Sequence, residues 1–165
     1  MNLKLSSGWS YCTDQILQFE NDLPKGDRLV ILELGAGDSS VKLYEYFKEK
    51  YNDIDYTCYE TDKRWLPNNK NIISVLYSDV KSASLPNKIC DLVLVDGPTG
   101  VTRKFWYEKL NSVVKPGTIV HIDDYDHYSD FEEELNRNLN FSELYRKSRK
   151  VKGEKSWLTV RIEKN

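Results

Sequence analysis

The stretch ILELGAGDSS, residues 31–40, decides the fold. An apolar run closes on Glu33, glycines follow at Gly35 and Gly37, and a helix pattern opens near Ser39. A strand that runs through a glycine-rich turn into a helix is the outline of a nucleotide-binding turn. Two kinds of ligand use such a turn: a dinucleotide held by its phosphates, or a cofactor that carries none. The dinucleotide fingerprint G-x-G-x-x-G requires a third glycine where this chain has Ser40. Charge speaks more strongly. Glu33 before the turn and Asp38 at the mouth of the helix would repel a phosphate that the helix N-terminus attracts. They suit a ligand end bearing an ammonium group and a nearby sulfonium.

Outward from this turn, β-branched runs alternate with amphipathic segments. Strands are expected at 29–34, 54–60, 72–77, 91–96 and 118–123; the first, fourth and fifth are almost continuously apolar, as strands covered on both faces are. Helical spacing joins Val41, Tyr44, Phe47 and Tyr51, and again Phe105, Trp106, Leu110, Val113 and Val114 ahead of the stop KPG at 115–117. Ser129 with Glu132 reads as a capping box opening a helix that carries Phe131, Leu135 and Leu139. An N-terminal helix spans 10–23 and stops at Pro24 and Gly26. The last two runs, 141–148 and 156–163, are strand-like and too close together for a crossover helix, so they pair antiparallel. The expectation is an α/β fold: a doubly wound, mostly parallel sheet with a C-terminal antiparallel hairpin and helices on both faces.

At 165 residues the chain suits a single domain, with a cofactor-binding half over 29–80 and an acceptor-side half over 90–165. The formal net charge of −2 gives no global pull towards nucleic acid or membrane. No run spans a bilayer and the first residues lack an apolar signal core, which makes the cytoplasm the expected location. Cys12, Cys58 and Cys90 lack metal spacing and read as small hydrophobes.

ELGAGDSS, followed by a strand ending in CYETD and a closing antiparallel hairpin, resembles the class I S-adenosylmethionine-dependent methyltransferases. The resemblance covers residues 29 to about 163 and implies a seven-stranded sheet. It further implies that Glu33, Gly35 and Gly37 surround the methionine part of S-adenosylmethionine, and that Glu60 accepts from both ribose hydroxyls. Asp79 is implied near the adenine amino group, and Asp96 where methyl group and acceptor meet. Ser39 stands where the family often has a third glycine and is expected to cap the helix.

On the acceptor side, Asp96 shares the carboxyl edge of the sheet with Asp123 and Asp124. Crowded carboxylates require a proton or a cation among them. The arrangement is similar to that of metal-dependent catechol and caffeoyl-type O-methyltransferases, which makes Asp96, Asp123 and Asp124 candidate Mg²⁺ ligands. Thr99 departs from that subfamily, which places a lysine there. Without metal, the proton acceptor is sought among Asp96, Asp123, Asp124, His127 and Tyr125, while His121 alternates into the sheet interior. Arg103 and the basic run RKSRKVKGEK, 146–155, are candidates to gather an anionic acceptor. With little chain outside the fold, a small-molecule acceptor is expected and nucleic acid is not; the SSGW stretch, 6–9, is a candidate cover for the cofactor. Rival readings are a non-catalytic scaffold of the same fold, aminopropyl transfer, and an NAD-dependent oxidoreductase suggested by Tyr44 and Lys48 in Y-x-x-x-K spacing.

Overall fold

The computed structural model describes residues 13–151 and 154–164. One sheet holds seven strands: β1 (Arg28–Leu34), β2 (Asp53–Glu60), β3 (Ile72–Leu76), β4 (Leu92–Val95), β5 (Ile119–Asp123), β6 (Phe141–Lys147) and β7 (Trp157–Ile162). Their order is β3-β2-β1-β4-β5-β7-β6. The first five pair parallel, and β7 runs antiparallel to both β5 and β6. β6 is therefore parallel to the first five, and the loop after it reaches the same sheet edge as theirs.

Alternation along each strand feeds two apolar layers. Val30, Leu32, Val93, Val95 and Val120 face Trp106, Leu110 and Leu135. Leu29, Ile31, Leu92, Leu94 and Ile119 face Ile16, Phe19, Leu43 and Phe47. The helices behind these contacts are α1 (Thr13–Glu20) and α2 (Asp38–Lys48) on one face, α3 (Phe105–Leu110) and α4 (Phe131–Asn138) on the other. Burial on both faces explains why β1, β4 and β5 read as unbroken hydrophobic runs.

Two helix ends differ from expectation. α1 ends at Glu20, and the chain continues as a turn in which Asp22 N–H donates to Phe19 O and Leu23 N–H to Glu20 O. Residues 10–12 of the expected helix, Cys12 among them, lie outside the described residues, as does the 6–9 stretch. The Ser129–Glu132 capping box does not form. Asp130 is the N-cap of α4, its carboxylate is taken by Lys104, and Glu132 pairs with Arg146 instead. Long-range ion pairs have displaced a local cap. No helix among the described residues is long and apolar enough to cross a membrane.

Candidate cofactor and acceptor site

The strand order reverses between β1 and β4, and parallel sheets open a ligand crevice at such a point. Here the two strand ends touch. Gly35 adopts φ 106°, and a Cβ on it would lie 2.4 Å from Gly97 N and 2.7 Å from Gly97 Cα. The backbone amides of Asp96 and Gly97 both donate to Leu34 O, at 2.9 and 2.7 Å. Only glycine at both positions permits this approach. The two loops then diverge around a cavity of about 670 Å³, within the size range of small-molecule sites.

Of the candidate residues, Gly35, Gly37, Ser39, Glu60, Asp96, Asp124 and His127 line this cavity; Glu33, Asp79 and Asp123 do not. Glu33 is fully buried beneath the turn on the α1–α2 face. Its Oε2 accepts from Tyr56 Oη at 2.9 Å, and its Oε1 has no hydrogen-bond partner among the described residues. Burial pushes its carboxyl up to about 7, against the pull of the Ser40 and Tyr56 hydroxyls. Asp79 is exposed and accepts from Ser82 N–H at 3.2 Å. The N-cap of α2 is Gly37, and the hydroxyl that reaches back to it is that of Ser40 rather than Ser39: Gly37 N–H donates to Ser40 Oγ at 3.0 Å. Ser39 is buried at the cavity wall.

Glu60 closes β2, and its Oε1 accepts from Thr61 N–H, Thr61 Oγ1 and Asp62 N–H at 2.7 to 3.0 Å. These bonds fix the carboxylate at the cavity wall. Asp62 then caps a 3₁₀ turn, Lys63–Trp65, that sets the half-exposed Trp65 ring along the same wall. Sequence reading passed over Trp65; an aromatic five residues after an acidic strand end was the available signal.

The far half of the cavity is built from the loops after β4 and β5. Asp124 adopts φ 51°, the only positive φ among described non-glycine residues, and its N–H donates to Ser156 O at 2.8 Å. Strain of this kind persists where surroundings enforce it. His127, Tyr128 and Phe131 continue the wall, with successive ring centroids 4.9 and 5.0 Å apart. Phe131 went unnoticed as a site residue because its helical spacing reads as core, and Tyr128 because it falls in the loop ahead of that helix.

Arg103 also lines the cavity, but as a brace. It is 5% exposed and donates to Pro98 O, Asp123 O and Asp96 O at 3.0, 2.8 and 2.5 Å. Three of its five N–H groups hold the backbone that shapes the site. His121 is buried, with Nδ1 2.8 Å from Thr159 Oγ1 and Nε2 3.1 Å from Gln15 Oε1, and burial pushes its imidazole down to about 4.

The basic run is docked against acids. Lys155 Nζ lies 2.9 Å from Asp123 Oδ2. Arg149 Nη2 lies 3.6 Å from Asp124 Oδ1 and 3.7 Å from Asp126 Oδ1. It also donates to His127 Nδ1 at 3.1 Å, which places the proton of a neutral His127 on Nε2. Arg146 pairs with Glu132 and Glu143. Residues 152 and 153 lie outside the described set. Asp96 has its carboxyl pushed well up by burial, then by the neighbouring Asp123 charge. Buried Asp123 Oδ1 has no hydrogen-bond partner among the described residues, and a proton on Asp96 would give it a donor.

Mg²⁺ does not fit this arrangement. No group of three or more His, Cys, Asp or Glu side chains among the described residues is placed to hold a metal ion. Asp123 already has an ammonium partner, and a guanidinium stands over Asp124. Two fixed cations therefore already stand at the expected Asp96, Asp123 and Asp124 ligand set.

No protein-family model matches the chain, and no curated protein does. Solved structures do. An rRNA methylase from Streptococcus thermophilus superposes with TM-score 0.64 at 11% identity, covering 89% of this chain and 93% of that one. An S-adenosylmethionine-dependent methyltransferase from Mesorhizobium loti gives 0.63 at 10% identity, over 93% and 100%. Another from Clostridium acetobutylicum gives 0.61 at 13% identity, over 92% and 89%. At such identities the likeness speaks for architecture, and it is consistent across them: the chain has the fold of the class I S-adenosylmethionine-dependent methyltransferases.

Proposed function

We propose that the protein is a methyltransferase that binds S-adenosylmethionine in the crevice between the β1 and β4 ends and methylates an oxygen of a small acceptor. The observation that carries this reading is the crevice itself. Glycines at 35 and 97 bring two strand ends together below a cavity whose near wall holds Gly37, Asp38 and Glu60 in the order the cofactor requires. Asp38 suits the ammonium end, Glu60 a ribose diol, and Trp65 offers a flat face to a base. Glu33 supports them from below by holding Tyr56 under the turn, and Asp79, outside the cavity lining, is assigned to the adenine side by the sequence resemblance alone.

The cofactor supplies an electrophilic methyl group on a sulfonium. The chain's own task is to hold the acceptor oxygen in line with it and to take the oxygen's proton. Of Asp96, Asp124 and His127, Asp124 suits that proton best. Burial and the neighbouring Asp123 charge push the Asp96 carboxyl well up and favour its protonated form, and His127 has its Nδ1 occupied by Arg149. No step calls for a metal. Arg103, Arg149 and Lys155 are the cations nearest the acceptor edge, and the buried Nε of Arg149 has no hydrogen-bond partner among the described residues, which keeps an anionic acceptor within this reading.

One structural neighbour is an rRNA methylase, and the comparisons lend no support to setting nucleic acid aside. RNA therefore belongs in the acceptor screen. The test is calorimetric titration with S-adenosylmethionine, S-adenosylhomocysteine and NAD. Micromolar binding of the first two, lost in Glu60→Ala, is the expected result; the cofactor with labelled methyl then reports transfer to hydroxyl compounds or RNA. Binding of NAD alone would replace this reading by the oxidoreductase, and binding of none would favour the scaffold.

A further inference from the structure

The acceptor edge carries more acid than its ligand needs, and its neutralisation is built in. Asp123 is 3% exposed, at the end of β5, and beside it Asp96 closes β4. Isolated carboxylates so placed are costly unless paired. The partner comes from a distant part of the chain whose position is fixed by sheet register. Asp123 pairs with Trp157 across β5 and β7, and Asp124 N–H bonds Ser156 O. Lys155, next in line, is thereby delivered to Asp123 Oδ2. A second clamp holds the same loop: Asp126 accepts from Arg149 N–H at 2.8 Å and from Ser156 Oγ at 2.5 Å. Tyr125 Oη meets Ser148 Oγ at 2.6 Å.

We infer that the Lys155 ammonium is the permanent cation of the acceptor edge. Lys155 does not line the cavity. It is a positioning residue, acting through Asp123 on Asp96, whose carboxyl forms the cavity floor between the cofactor and acceptor halves. A covalently tethered ammonium cannot be lost to chelators and leaves no vacancy for magnesium. Residues 154–156, ahead of β7, are therefore part of the site. The link to catalysis rests on the methyltransferase reading; the cation assignment does not.

The test uses the full chain and four variants: Lys155→Ala, Lys155→Arg, Asp123→Asn, and the Asp123→Asn/Lys155→Ala double variant. Thermal unfolding and S-adenosylhomocysteine titration are followed with no addition, with MgCl₂, with EDTA and with methylammonium chloride, against NaCl of equal ionic strength. The wild type should give the same Tm, and the same affinity within about twofold, in all four media. Lys155→Ala should lose roughly 4–10 °C in Tm, a range reduced for the partial exposure of the ammonium. It should also lose at least fivefold in affinity, and regain part of both with methylammonium. Lys155→Arg should keep most of both, and the double variant should unfold closer to wild type than Lys155→Ala and ignore methylammonium.

A wild-type Tm that rises with micromolar-affinity Mg²⁺ would overturn the inference. So would a Lys155→Ala variant that matches wild type, or one whose affinity is unchanged while only Tm falls, which would make the pair purely structural. If S-adenosylhomocysteine binds no variant and not the wild type, the methyltransferase reading fails, and the Tm response to methylammonium still decides the cation.

Discussion

Two glycines two residues apart serve different ends. Gly35 is required by the fold: its φ of 106° and the 2.4 Å approach of Gly97 N to a would-be Cβ leave no room for alanine. Gly35→Ala should cost about 2–4 kcal/mol, read as a lowered denaturation midpoint. Gly37 has extended backbone, φ −176°, and a Cβ there would meet nothing nearer than Ser39 Oγ at 3.9 Å. Packing does not demand a glycine at 37; the cavity in front of it does. Gly37→Ala should leave stability within about 0.5 kcal/mol and weaken S-adenosylmethionine at least tenfold by calorimetry. The motif shows both glycines but not this division, because φ and close approach arise only once β4 is placed beside β1. Glu33 has a similar history. Its sequence position suggested a ligand contact, whereas burial on the α1–α2 face makes it an internal acid with its carboxyl raised from 4.5 to about 7. The folded state then holds a proton that the unfolded chain releases. Its contribution is fully present below about pH 4.5 and is lost as pH rises through about 7, by at most roughly 3 kcal/mol. Glu33→Gln keeps the acceptor for Tyr56 and should flatten that loss, seen as a smaller Tm difference between pH 5 and pH 8.

At the scale of elements, strands were the most legible feature, since both-face burial writes itself as continuous hydrophobic runs in β1, β4 and β5. The antiparallel ending followed from the short connection between β6 and β7. Helix boundaries were less legible. α4 starts where Lys104 captures Asp130, a contact 26 residues away in sequence that no local capping pattern contains. The loop after β6 shows the same limit: its composition marks a basic run that could gather an anionic acceptor, and only register brings Arg149 and Lys155 onto three acids. Asp126 staples that loop through two half-buried bonds. Asp126→Ala should cost about 1.5–3 kcal/mol. Amide exchange should speed up over 148–151 and 154–156 and stay unchanged in β1 and β2, as mass spectrometry of peptides would read.

At the scale of the whole molecule, the cavity belongs to neither half alone. Its near wall comes from the loops after β1 and β2, its far wall from those after β4 and β5, and the halves meet at the Gly35–Gly97 contact. A ligand seated there bonds to both, so its binding energy must appear as stability of the entire sheet. The topology of that joint was readable from alternating strands and helices. The role of Phe131 was not, because a ring lining a cavity and a ring filling a core obey the same spacing. For a ligand that binds only the folded chain, a concentration one hundred times its Kd adds about 2.7 kcal/mol. S-adenosylhomocysteine at that level should therefore raise Tm by roughly 5–10 °C in a domain of this length. Amide protection should rise together in the loops at 35–38, 60–65 and 96–100. NAD at equal concentration should shift nothing, because Asp38 stands at the mouth of α2, where a pyrophosphate would have to meet the helix N-terminus. A Tm shift with protection confined to one wall would mean that the ligand occupies half the cavity and that the two halves are not joined through it.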